Sequence, residues 1–156
     1  MNVSVISSAD VRELMKSEPD LAVEGVFDYW WLFDREDLTA ALFSLTGQLP
    51  AHKHSKGEHL GFIIGGVGYC VAGEEYFELK TDTWMRIPQG AAHNFYVPEG
   101  GQIIGIEMTA PRCLYEDIEW LIQGPEFEMI EAIRREHNAD AIAAKTIPRD
   151  LPLPGQ

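Results

Sequence analysis

The chain has 156 residues, 46 % of them hydrophobic, and sets 12 basic against 25 acidic side chains for a formal net charge of −13. That length and apolar content fit one domain with a sizeable core and exclude a predominantly disordered chain. The charge excludes nucleic acid and anionic membrane surfaces as partners and disfavours strongly anionic substrates.

In chain order, residues 7–19 (SSADVRELMKSEP) predict a short helix, with Ser8 or Asp10 as its cap and Pro19 just beyond its end. From about residue 22 to 110 the texture changes to short apolar or alternating runs, among them DYWWLF, TAALFSLTG, LGFII, GYCVAG, EYFELK, NFYV and QIIGIEMT. Turn residues punctuate them, which predicts many closely spaced strands with no helices between, as in a sandwich or barrel. After Pro111 the recurrence of Leu114, Ile118, Leu121 and Ile122 predicts a helical stripe, and EFEMIEAIRREH a second helix, so that about 113–138 reads as a helical extension. The Pro-rich residues 146–156 read as an extended tail. The whole, 1–156, is read as one domain.

No stretch approaches the ~20 apolar residues that span a bilayer, and the N-terminus lacks the basic start and apolar run of a signal peptide. The expected location is therefore cytoplasmic. Cys70 and Cys113 form no CxxC pair and are expected as reduced, mostly buried thiols; a disulfide between them stays open.

The chemistry concentrates in HKHSKGEH, residues 52–59, which holds three of the five histidines. Side chains at i and i+2 of a strand share a face, so His52 and His54 point the same way. Glu58 follows a short turn at Gly57 that can bring it back toward the pair. His93 lies beyond a Pro88–Gly90 turn, on one face of its strand with Phe95 and Val97. If the two faces meet, three imidazoles and a carboxylate converge on one divalent ion (Fe, Mn, Ni or Zn), leaving one or two positions for substrate.

These residues resemble the two motifs of the cupin family. The first, G-x5-HxH-x3,4-E-x6-G, is met by His52, His54, Glu58 and Gly65, with Gly47 one residue too close to His52. The second, G-x5-PxG-x2-H-x3-N, is met by Pro88, Gly90 and His93, with Asp82 and Val97 at its glycine and asparagine positions. The resemblance spans roughly residues 40–110. It implies an all-β core, a cupin-type double-stranded β-helix (jelly-roll barrel), here with a short N-terminal helix and C-terminal helices. It also implies His52, His54, Glu58 and His93 as metal ligands, and a homodimer.

With Glu58 facing in, strand parity puts Leu60, Phe62 and Ile64 in the substrate pocket and His59 outside. Phe95 and Val97 join them, and the apolar set Ile104, Ile106 and Met108 is read as inward. The reverse parity on that last strand would instead bring Glu107 near the metal as a candidate base. Arg86 and Arg112 are read as solvated strand-end residues, His137 as packing or surface, and Tyr29, Trp30, Trp31 and Trp84 as packing aromatics. The expected function is a metal-dependent enzyme on a small, mostly uncharged oxygenated metabolite, by oxygenase-type chemistry. The alternatives are a non-redox Lewis-acid cyclase, isomerase or lyase, and a non-catalytic cupin that binds a small ligand.

Overall fold

The computed structural model describes residues 7–23, 26–72, 75–112 and 117–121. One helix, α1 (Ser8–Leu14), precedes ten strands: β1 (Leu21–Val23), β2 (Phe27–Asp34), β3 (Thr39–Leu45), β4 (Gln48–His54), β5 (Glu58–Ala72), β6 (Glu75–Lys80), β7 (Trp84–Ile87), β8 (His93–Tyr96), β9 (Ile103–Ala110) and β10 (Ile118–Trp120). The cap of α1 is Ser7, one residue before the predicted one. Its hydroxyl accepts from Asp10 N–H, and the Asp10 carboxylate takes the Ser7 N–H in return, a reciprocal capping box.

The strands pair antiparallel throughout and curl into two facing layers. The first layer holds β1, β2, β3, β9, β7 and the N-terminal half of β5. The second holds β10, β4, β8, β6 and the C-terminal half of β5. The fifteen residues of β5 thus serve both layers, joining two runs that the sequence reading kept apart. The corner falls where the β5–β9 register shifts between Ile63 and Gly65. Gly66 has φ +86° there, and a Cβ on it would stand 1.6 Å from the Gln102 carbonyl oxygen, so only glycine turns this corner.

β3 is buried along its whole length. The interior between the layers packs Tyr29, Ala41, Phe43, Leu45, Leu49, Ile63, Cys70, Leu79, Val97 and Ile103. Each fully buried Leu or Ile contributes roughly 1.5–3 kcal/mol. Cys70 is buried and unpaired, and burial pushes its thiol up to about 12; Cys113 lies outside the described residues.

The C-terminal reading changes in its described part. Ile118–Trp120 is not helical; it forms β10, paired to the histidine strand β4 with Ile118 opposite His54 and Trp120 opposite His52. Three residues cannot distinguish a strand from a helix by periodicity, and the open edge of β4 decides the matter. The remainder of the predicted helical extension, His137 and the Pro-rich tail lie outside the described residues. No helix among the described residues is long and apolar enough to cross a membrane.

Candidate metal centre

Three strands deliver the site. On β4 a bulge falls between Leu49 and His52, at Pro50, which has no N–H to give to a ladder. The extra residue lets Leu49 and His52, three apart, both face the interior. His52 pairs in register with His93 of β8. The His52, His54 and His93 rings are buried, at 4.3 Å (52–93), 5.0 Å (52–54) and 5.5 Å (54–93) between centroids. One ligand nitrogen from each lies within 4.8 Å of the others. Two nitrogens on a common ion at ~2.1 Å stand at most about 4.2 Å apart, so the set is only slightly wider than a bound ion requires. These three buried histidines make a candidate metal site.

Glu58 does not join them. Arg86 donates to both of its oxygens, at 2.8 and 2.9 Å, on the outer face, where its side chain is 45 % exposed. Arg86 is therefore ion-paired rather than simply solvated, and its hydrogen bonds hold the Glu58 carboxyl below the usual range. The parity of β5 is the reverse of the predicted one. His59 points in, 4 % exposed, with its ring centroid 3.9 Å from that of His54 and 6.2 Å from that of His93.

The reversal runs on through the neighbouring strands. Leu60, Phe62 and Ile64 lie on the outer face with Ile104, Ile106 and Met108, in rows Leu60–Met108 and Phe62–Ile106. Trp84, 60 % exposed, extends the second row. Val97 is buried in the interior cluster. Of the eight residues read as pocket lining, Phe95 alone borders the cavity. Glu107, given as the alternative inward residue of β9, does face it.

The electrostatics of the cluster follow from burial. Desolvation lowers His52 to about 4, His59 to about 3 and His54 to about 2, the last with help from His59 and His52, and takes His93 well below its ordinary value. All four are neutral at pH 7. Their tautomers are set by what Nδ1 touches. His52 Nδ1 lies 2.7 Å from the Pro50 carbonyl and His93 Nδ1 2.9 Å from the Ala91 carbonyl. A carbonyl can only accept, so both Nδ1 atoms carry the proton and both Nε2 atoms keep a lone pair. His59 Nδ1 bonds the Glu107 carboxylate, which Thr109 also meets. Its Nε2 is buried with no partner, and a buried unpaired acceptor beside three imidazoles is a chemical reason for an ion.

Asp117 is the residue that the sequence reading missed. It is 4 % exposed, and its carboxylate accepts from Ser55 Oγ (2.6 Å), Lys56 N (2.8 Å) and Gly57 N (2.9 Å). It thereby holds the three-residue loop that joins His54, the last residue of β4, to Glu58, the first of β5, and sets the His54 and His59 rings inward. No spacing signal in the sequence connects residue 117 to residues 55–57. Asp117→Ala is expected to cost about 3 kcal/mol, because two backbone N–H groups lose a charged acceptor; Asp117→Asn should fall between the two. Urea denaturation of the three proteins checks this order.

A cavity of about 170 Å³ adjoins the histidines. Tyr29 and Trp31, read as packing aromatics, line it with Phe27, Phe43, Phe95 and Trp120.

Neither a protein-family model nor a curated protein matches the chain. Solved structures do. A conserved Klebsiella pneumoniae protein with a double-stranded β-helix domain superposes with TM-score 0.57 at 17 % identity, over 71 % of this chain and 92 % of that one. The fold is cupin-like. KdgF from Halomonas sp. shares it with TM-score 0.54 at 19 % identity, over 60 % of this chain and 87 % of the other. Streptomyces Pac13, in a structure with uridine, shares it with TM-score 0.59 at 12 % identity, over 71 % of this chain and 91 % of the other. At such identities the likeness is one of fold. The cupin-like frame places the histidines of both layers at one end of the barrel interior, where the cavity lies.

Proposed function

We propose that the protein is a metal-dependent enzyme that performs non-redox chemistry, an isomerisation, elimination or cyclisation, on a small and mostly uncharged oxygenated compound. The observation that carries this reading is at the head of β5, where the carboxylate expected as a ligand is tied to Arg86 outside and the buried imidazole of His59 faces the three histidines instead. Two histidines with one carboxylate ligand are the mark of non-haem iron oxygenases. Four neutral imidazoles suit zinc, nickel, copper or iron better than manganese, which favours carboxylate oxygen. Pac13, of the same fold, is a nucleoside dehydratase, a non-redox activity.

His52, His54 and His93 would hold the ion, with His59 as the fourth ligand through Nε2. A divalent ion there supplies a Lewis acid that polarises a carbonyl or hydroxyl oxygen. The chain's own groups do the remainder. The Pro50 and Ala91 carbonyls fix the tautomers of His52 and His93. Glu107 fixes that of His59 and places a carboxylate at the cavity wall, where it can take a proton from a substrate carbon or hydroxyl. The aromatic wall keeps water from the reacting end.

Elemental analysis of protein purified without added metal tests this. The expected result is close to one divalent ion per chain, sharply reduced in His93→Ala, with no substrate-dependent oxygen uptake. Unchanged metal in the variant would remove the site as described. Iron with oxygen uptake would restore the oxygenase reading.

A further inference from the structure

The two ends of the cavity differ in chemistry. At one end stand the histidines and Glu107; at the other are aromatic and aliphatic side chains, and among the described residues no lysine or arginine lines the cavity. The cationic groups of the surrounding strands are engaged elsewhere: Arg86 with Glu58, Lys53 with Glu119, and Arg112 with Asp34. The acidic residues that line the cavity are Asp20 and Glu107. Asp20 accepts from Trp31 N–H at 2.8 Å and is exposed.

Register gives the space its shape. In the first layer Trp31 lies opposite Ala41, Ala41 opposite Glu107, Glu107 opposite Gly61, and Gly61 opposite Met85. The row therefore reads large, small, Glu107, small, large. Gly61 leaves room beside the carboxylate, and the Met85 side chain folds into it: a Cβ on Gly61 would stand 2.3 Å from Met85 Cε. Trp31 and Glu107 both line the cavity and stand two strand spacings or about 10 Å apart. A volume of about 170 Å³ is that of a single ring with a short substituent.

We infer that the substrate carries an uncharged, ring-sized apolar group that sits against Trp31 on the aromatic wall, while its oxygen-bearing end faces the histidines. This deepens the function proposed above and rests on it for the second half of the statement. A carboxylate or phosphate remote from the histidines would meet no cation among the described residues, Asp20 at 2.8 Å from the Trp31 backbone, and a protein of net charge −13. The slot therefore selects against acids and phosphates and in favour of neutral cyclic compounds.

The probes are 4-methylphenol and 4-hydroxybenzoate, which present the same hydroxyl and differ only in the remote group. Calorimetric titration of zinc-loaded protein is expected to show 4-methylphenol binding at least about tenfold tighter than 4-hydroxybenzoate. Trp31→Ala, at a partly exposed position, should weaken 4-methylphenol about fivefold and leave zinc content unchanged. In His93→Ala the preference for the neutral probe should persist, since the slot produces it and the ion does not. Equal or tighter binding of 4-hydroxybenzoate, no binding of either probe at 10 mM, or an unaffected Trp31→Ala would each overturn the inference. Loss of zinc from the wild-type protein with the neutral preference intact would instead count against the metal reading alone.

Discussion

His59→Ala is expected to weaken divalent-metal binding by about 100-fold or more, while Glu58→Ala changes it less than about threefold. The two residues are neighbours in sequence and point to opposite faces of β5. Glu58 is held outside by Arg86, and its loss affects only a surface ion pair, worth about 1 kcal/mol or less. His59 presents a buried Nε2 that has no other partner, with its ring centroid 3.9 Å from that of His54 and 6.2 Å from that of His93. Glu107→Gln should fall between the two variants, at roughly tenfold, because an amide carbonyl still accepts the His59 Nδ1 proton but without charge. Competition of the metal-stripped proteins with a zinc-sensitive chelating dye measures all three. Loss of affinity in Glu58→Ala with retention in His59→Ala would reverse the assignment.

Acid should unfold the metal-free protein well before its carboxylates protonate. His52, His54 and His59 are lowered to about 4, 2 and 3 in the fold by burial, against 6.5 as the ordinary value, and His93 moves the same way. Above pH 6.5 both states hold these rings neutral, and they add no pH dependence. Below it the unfolded chain takes up protons that the fold refuses, so stability falls as pH drops from 6.5 toward the folded-state values. Each of the three rings removes up to ~1.4 kcal/mol per pH unit, or about 2 kcal/mol by pH 5. A small domain holds only about 5–15 kcal/mol in all. Urea melts in the presence of a chelator at pH 7.5, 6 and 5 should therefore show the midpoint falling steeply, with unfolding complete near pH 5. A midpoint independent of pH over that range would mean that the rings are solvated rather than buried. Added zinc should raise the pH 7.5 midpoint, since the ion binds only the neutral, folded cluster.

The architecture was legible from the residues because each of its signals is local. Alternating runs and turn residues mark β2, β3, β6, β8 and β9, and the serine-rich start with Pro19 beyond the end marks α1, with its cap at Ser7 where Ser8 or Asp10 was expected. The identity of His52, His54 and His93 as a convergent set was legible too. An HxH pair on a strand shares a face by pleat alone, and His93 after its Pro-x-Gly turn had no comparable partner elsewhere in the chain.

The side of β5 and β9 that faces the interior was not legible. Parity carries along a strand only from a known starting point, and the loop 55–57 resets it. A one-residue difference in how that loop closes exchanges Glu58 for His59 and inverts every residue that follows. The loop closes as it does because Asp117, sixty residues away, receives its N–H groups. On β9 the apolar Ile104, Ile106 and Met108 were read as inward because apolar side chains usually are. Around a polar centre the rule fails: Gly105, Glu107 and Thr109 face in, beside the small Gly61 and the imidazole of His59. The sequence by itself therefore determined the fold and three of the residues at its centre. Tertiary structure decided the fourth histidine, the carboxylate that orients it and the wall of the cavity, because these depend on a loop geometry fixed by a contact from the far end of the chain.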